Sequence, residues 1–178
     1  HFYSGMSTVR RINAYRFAGV IEAGYCMDDM YVEIIADGCH LPAELLKMIY
    51  KIKGPSRIAL VTDSMRAAGM PEGPLYALGN KDEGLQCIVE EGVAKLQDRS
   101  AFAGSVATAD RLVRTMRTLA DVTLTDAVRM MSTTPAQILG IAGSKGILAP
   151  EKDADIVIFD DDIRVSRTII GGRTVFEA

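Results

Sequence analysis

The sequence has no tryptophan, two histidines and three cysteines in 178 residues. Cys26, Cys39 and Cys87 are odd in number and lack the close spacing of a zinc knuckle or a redox pair. They argue against disulfide staples and for a reducing, cytoplasmic setting. No apolar run is long enough to cross a bilayer and no signal-peptide pattern stands at the start, so no membrane partner is expected. Charge of one sign is scarce too. The net charge is -3 and the only basic doublet near the start is Arg10-Arg11, too little to track a phosphate backbone, so nucleic acid is not the expected partner. The chain opens on His1-Phe2-Tyr3 without an initiator methionine, which is the expectation for a fragment or processed product.

What is present is the composition of a globular chain, with 48% apolar and 24% charged residues, enough to bury a core. Tyr31 to Ala36 is a short apolar run ending in Asp37-Gly38 and reads as a strand closed by a turn. Pro42 suits a first helical turn, Leu45, Leu46, Ile49 and Ile52 recur at helical spacing, and Gly54-Pro55 ends the segment. Ile58 to Thr62 predicts a second buried strand, ending at Asp63. Strand, helix and strand in this order form a βαβ unit with parallel strands, whose polar strand ends share the edge where α/β proteins place their chemistry.

From Met70 to Ser100 the sequence turns Gly-rich and alternating, predicting a β-hairpin near 75–100 inserted after the second strand. Helices are expected over Ala109–Leu119, from Thr123 with Asp126 three residues on, and from Thr134-Pro135 to Gly140. Leu112, Val113, Met116 and Leu119 share one face of the first, and Met116, Met130 and Met131 read as core. The tail returns to strands at Ala154–Phe159, Arg167–Ile170 and Arg173–Phe176, with a Gly171-Gly172 turn, as a separate small β layer.

Few side chains could carry chemistry. A lone histidine is more often structural than catalytic, so His1 and His40 gain weight only from neighbours. Asp63, closing an apolar strand, is either a turn residue or a carboxylate poised as general base. With His40 at the end of the preceding strand, both would converge on one mouth, which favours the functional reading. Phe102-Ala103-Gly104-Ser105 ahead of a helix could present N–H groups to an oxyanion or a sugar oxygen, or be only a cap.

Taken together, His1-Phe2-Tyr3-Ser4-Gly5-Met6, Ile34-Ile35-Ala36-Asp37-Gly38-Cys39-His40, Leu60-Val61-Thr62-Asp63-Ser64-Met65 and Phe102-Ala103-Gly104-Ser105 resemble the ordered motifs of N-acetylglucosamine-6-phosphate deacetylases, and Gly146 to Val157 is similar to the return passage of the amidohydrolase superfamily. The resemblance spans essentially the whole chain. It implies an α/β fold comprising the C-terminal part of a (β/α)8 barrel, about its last three strands, over residues 1–145, with strands of a small β-sandwich over 146–178. A whole barrel takes about 250 residues. It further implies a divalent metal cofactor, most simply zinc, with His1 as a metal ligand. Asp63 would be the residue that takes a proton from water and delivers it to the departing amine. Ser4, Gly5, Asp37, Gly38, Cys39, His40, Phe102, Ala103 and Gly104 would face the sugar, Ser4-Gly5 standing where the family has Asn-Ala. Arg16, in Arg16-Phe17-Ala18-Gly19, matches the family's phosphate-binding arginine best, with Arg11 second. The implied partner is a phosphorylated amino sugar, and the family is typically a homodimer. Two rivals are another amidohydrolase, dihydroorotase-like or deaminase-like, and a non-catalytic fragment or assembly module.

Overall fold

The computed structural model describes residues 1–178. At its centre lie two short parallel strands, β3 (Val32–Ile34) and β4 (Ile58–Leu60), paired Val32 with Ile58 and Ile34 with Leu60. Helix α2 (Ala43–Lys53) crosses between them, completing the expected βαβ unit. Pro42 is the residue before the helix rather than part of its first turn, and Gly54 ends it at φ 69, a conformation that disfavours any side chain.

The strands do not stand alone. The Phe2 N–H donates to the Glu33 carbonyl at 2.7 Å on one side of β3. Beyond β4, Ser105 N–H donates to the Asp63 carbonyl and Met65 N–H to the Ser105 carbonyl, both at 2.9 Å, in a parallel bridge. Four chain segments thus sit side by side in sequence order. Helices α3 (Ala109–Ala120), α4 (Leu124–Met131) and α5 (Thr133–Ile138) pack behind them. Thr123 caps α4 by accepting the Asp126 N–H at 3.2 Å, as its sequence predicts. The core of this layer joins Ile34, Ile58 and Leu60 to Leu46, Ile49, Leu112, Met116 and Met130. Leu119, expected on the buried stripe of α3, is 37% exposed, because that stripe runs through Leu112, Val113, Met116 and Ala120 and Leu119 lies to its side.

The segment between β4 and α3 differs from its prediction. It is a three-stranded antiparallel meander, β5 (Leu75–Leu78), β6 (Leu85–Glu90) and β7 (Val93–Leu96), not a single hairpin. Its small core holds Ala67, Cys87, Val89, Ala94 and Ala103. The Met70 to Pro74 stretch holds no regular element, and β5 begins only where side chains can pair across to β6. The tail forms the antiparallel sheet β8 (Ile156–Phe159), β9 (Val165–Ile170) and β10 (Arg173–Glu177).

Two features had no counterpart in the sequence reading. A hairpin, β1 (Arg10–Ile12) and β2 (Tyr15–Phe17), turns at Asn13-Ala14, both left-handed. A seven-residue helix, α1 (Val20–Cys26), follows it. Glu22 holds the start of α1 by accepting the Gly19 N–H at 2.7 Å and the Thr8 hydroxyl at 2.8 Å. Gly24 lets the Phe2 ring approach: a Cβ there would lie 2.7 Å from its Cε2. No helix is long and apolar enough to cross a membrane.

Candidate active site

Parallel strands carry their C-terminal ends to one edge, and on that edge the structure brings together His1, Glu33 and Asp63. The His1 imidazole lies between two carboxylates, Nδ1 at 3.2 Å from Glu33 Oε2 and Nε2 at 3.1 Å from Asp63 Oδ1. The hydrogen bond to Asp63 raises the His1 pKa most, burial opposes it, and Glu33 adds to the rise. Asp63 itself sits at φ 49, a left-handed backbone that costs a non-glycine residue about 1 kcal/mol or more. Its carbonyl accepts the Ser105 N–H at 2.9 Å. Gly104, at φ 78, permits that approach, since a Cβ there would lie 3.1 Å from the Asp63 carbonyl oxygen.

The loop after β3 forms the second half of the site. Asp37 is 2% exposed, and both its oxygens serve its own loop. Oδ1 accepts the Cys39 and His40 N–H groups at 2.9 Å, while Oδ2 lies 2.8 Å from His40 Nδ1. Burial alone would push the Asp37 pKa up. The His40 ring and the two N–H donors outweigh it and hold the carboxyl below its usual range. Asp37 therefore holds the His40 main chain and ring in place. The His40 ring packs on Phe102, ring centres 4.8 Å apart. Gly38, at φ 83, allows the turn between them.

The other expected residues divide. Ser4 and Gly5 are exposed in the turn directly after His1, where the Ser4 N–H donates to the His1 carbonyl at 2.9 Å. Phe102 presents a half-exposed ring, whereas Ala103 is buried in the small meander core and its N–H is taken by the Ala94 carbonyl at 2.9 Å. Cys39 is half-buried and faces Arg111. Arg16 stands apart from this group. It lies exposed on β2, directly opposite Arg11 on β1, and neither guanidinium meets a carboxylate. Glu33 and Arg111 went unnoticed in the sequence. The apolar alternation of β3 places Glu33 beside His1, so its period was the signal that could have found it.

The resemblance implies a divalent metal, most simply zinc, and a zinc site takes three or four protein donors. No group of three or more His, Cys, Asp or Glu side chains is close enough to hold an ion. Glu33 and Asp63 meet the His1 ring on opposite sides, at Nδ1 and Nε2, so the three do not converge on one point, and His1 alone does not complete a site.

The comparisons with known proteins agree with this architecture. The model of the Amidohydrolase family matches residues 9–175. N-acetylglucosamine-6-phosphate deacetylase of Lysinibacillus sphaericus is 38% identical over 173 residues, 97% of this chain and 42% of its own length. A protein of Escherichia coli (strain K12), provisionally named an N-acetylgalactosamine-6-phosphate deacetylase, is 34% identical over 174 residues, 97% of each chain. Among solved structures, a point mutant of N-acetyl-D-glucosamine-6-phosphate deacetylase of Mycobacterium smegmatis in complex with N-acetyl-D-glucosamine-6-phosphate superposes with a TM-score of 0.83 at 31% identity, covering 98% of this chain and 44% of that one. The chain thus spans about 42% of the length of the first of these relatives. With a mixed α/β fold, a family match over nearly its whole length and a like-sized relative, the chain belongs to the amidohydrolase family.

Proposed function

We propose that these residues form the C-terminal part of an N-acetylglucosamine-6-phosphate deacetylase, which hydrolyses the acetamide of N-acetylglucosamine 6-phosphate to glucosamine 6-phosphate and acetate. The observation that carries the proposal is Asp63, held in a left-handed turn with His1 at 3.1 Å, just past the strand that pairs with the one leading into the His40 loop. In this reading residues 1–145 are the last strands and helices of a (β/α)8 barrel, and 146–178 belong to a small β domain. The four adjacent segments in sequence order support it.

In the reaction, water adds to the acetamide carbonyl carbon as Asp63 accepts its proton. The C–N bond then breaks, and Asp63 delivers that proton to the departing amine. One carboxylate therefore serves both steps. His40, with Phe102 against its ring, would bind the sugar, and Ser4 and Gly5, exposed in the turn after His1, would contact it too. Arg16 or Arg11 would take the phosphate, a monoester that a guanidinium matches well. His1 is the donor this chain would offer to a divalent ion, zinc being suited to imidazole. Further donors would come from polypeptide that the relatives have beyond the matched portion. A cytoplasmic homodimer is the expected setting.

A second reading is favoured by a specific finding. Relatives named for the galactose epimer match as well as many named for the glucose one, at 34% identity in Escherichia coli O157:H7. Acetate release from both phosphorylated sugars, and from unphosphorylated N-acetylglucosamine, tests the assignment on protein containing these residues. The expected outcome is turnover of N-acetylglucosamine 6-phosphate that Asp63→Asn lowers by about a hundredfold or more. Preference for the galactose epimer would transfer the proposal to it. Turnover indifferent to Asp63 would remove it.

A further inference from the structure

We propose that Arg111 is the positioning residue that holds His40 in its sugar-facing place, acting through Asp37; the functional half of this inference rests on the sugar-binding role given to His40 above. Arg111 stands in the first turn of α3, where its side chain reaches two separate loops. Its Nη2 donates to the Asp37 carbonyl oxygen at 2.7 Å and its Nη1 to the Gly92 carbonyl oxygen at 2.7 Å. The same Nη2 lies 3.7 Å from Cys39 Sγ. A guanidinium is the one side chain that can span two such acceptors with a rigid, planar fork.

The surroundings are shaped for that fork. Gly92, at φ 72 in the turn between β6 and β7, leaves room for it: a Cβ there would lie 3.2 Å from Nη1. On the other side, Gly38 rests on α3, where a Cβ would meet Leu119 at 3.6 Å and Thr115 at 3.8 Å. Arg111, Thr115 and Leu119 recur every four residues, so a single stripe of α3 backs the whole Asp37–Cys39 loop. No carboxylate pairs with Arg111, so its hydrogen bonds go to the loops and not to an ion pair.

The chain of contacts then runs outward to the site. Arg111 fixes the main chain at Asp37, the Asp37 carboxylate fixes the His40 N–H and ring, and the ring lies on Phe102. Phe102 is itself tied to the meander, bridging to Lys95 on β7. Arg111 therefore locks the two walls of the sugar-binding side, the β3 loop and the meander, to one helix.

The test uses Arg111→Met, which keeps length and removes the donors, and Arg111→Lys, which keeps the charge but can serve one carbonyl at a time. In isotope-labelled chain, amide exchange at Cys39 and His40 is expected to quicken about tenfold with Met, the effect of one lost hydrogen bond, and less with Lys. The amides of Ile49 and Met130, in the main core, should not change. The His40 ring, read by its nitrogen resonances, should lose its fixed tautomer. In the turnover assay KM should rise with kcat held, since His40 would act in binding. Exchange at Cys39 and His40 equal to wild type overturns the proposal. A uniform rise at Ile49 and Met130 in both variants overturns it too, because Arg111 would then merely support the fold. A loosened loop with unchanged KM in an active enzyme also overturns it. Absence of any sugar turnover in the wild type would fail the deacetylase reading instead, and the exchange measurements would still decide the Arg111–His40 link.

Discussion

Asp37 is the one carboxylate among the buried residues, and three donors converge on it. Its replacement by alanine strands two N–H groups and an imidazole away from water. A loss of about 2–4 kcal/mol follows, read from urea unfolding, while asparagine, which keeps one acceptor, should cost less. The pH dependence has a definite sign. A carboxyl held below its usual range contributes its full stability above the unfolded value, about 3.9, and loses it as pH falls through the folded value. The stability gap between wild type and Asp37→Asn should therefore be constant near neutrality and shrink in acid. His1 runs the other way. Its pKa is raised, so its contribution is complete below about 6.5 and is lost as pH rises through the folded value. Asp63→Asn should move the His1 titration back down, measured by proton resonance of the ring; an unmoved titration would show that Asp63 is not its main partner.

Among the elements, those built on strong periodicity were legible and those built on exceptions were not. The βαβ unit was plain because β3 and β4 are buried runs and α2 carries Leu46 and Ile49 inward. The α4 cap was plain because Thr123 and Asp126 have the required spacing. The first hairpin left no such trace. Its turn needs two left-handed residues, a role usually filled by Asn-Gly, and here Ala14 adopts φ 70 without glycine's freedom. At three residues each, β1 and β2 are also too short for an alternation such as Tyr15-Arg16-Phe17 to mark them. Ala14→Gly should consequently stabilise the hairpin, by about 0.5–1 kcal/mol, since it relieves a left-handed alanine at some entropic cost. Thermal unfolding checks it, and a destabilised variant would mean the turn is not left-handed. Helix α1 was hidden for a related reason. Its seven residues include Gly24, which lowers helix propensity but admits the Phe2 ring. Asp63, by contrast, was readable by place and motif, while its pairing with Glu33 through His1 required the third dimension.

At the scale of the whole molecule, the β8–β10 sheet and its approach leave much apolar surface uncovered. Val157, Ile158, Ile170, Val175 and Phe176 are all exposed, and Leu148 is 75% exposed. Every residue of β10 is open to solvent, and the strand ends its sheet. A sheet with both an open edge and uncovered apolar side chains pairs readily with another chain. The 178-residue chain by itself should accordingly associate with rising concentration, visible as an increasing mass in sedimentation or light scattering. Val175→Thr together with Phe176→Thr should weaken that association while leaving the β3–β4 layer folded, because neither residue belongs to the main core. The same chain, offering His1 alone as a metal donor at its candidate site, should retain little divalent ion after dialysis. Tight stoichiometric metal would mean that donors other than His1 reach the site. A monomer at all concentrations would mean that the tail sheet covers its own apolar face in solution. The two measurements are independent, since Val175 and Phe176 lie on β10 and the His1–Asp63 contact lies beside the β3–β4 layer.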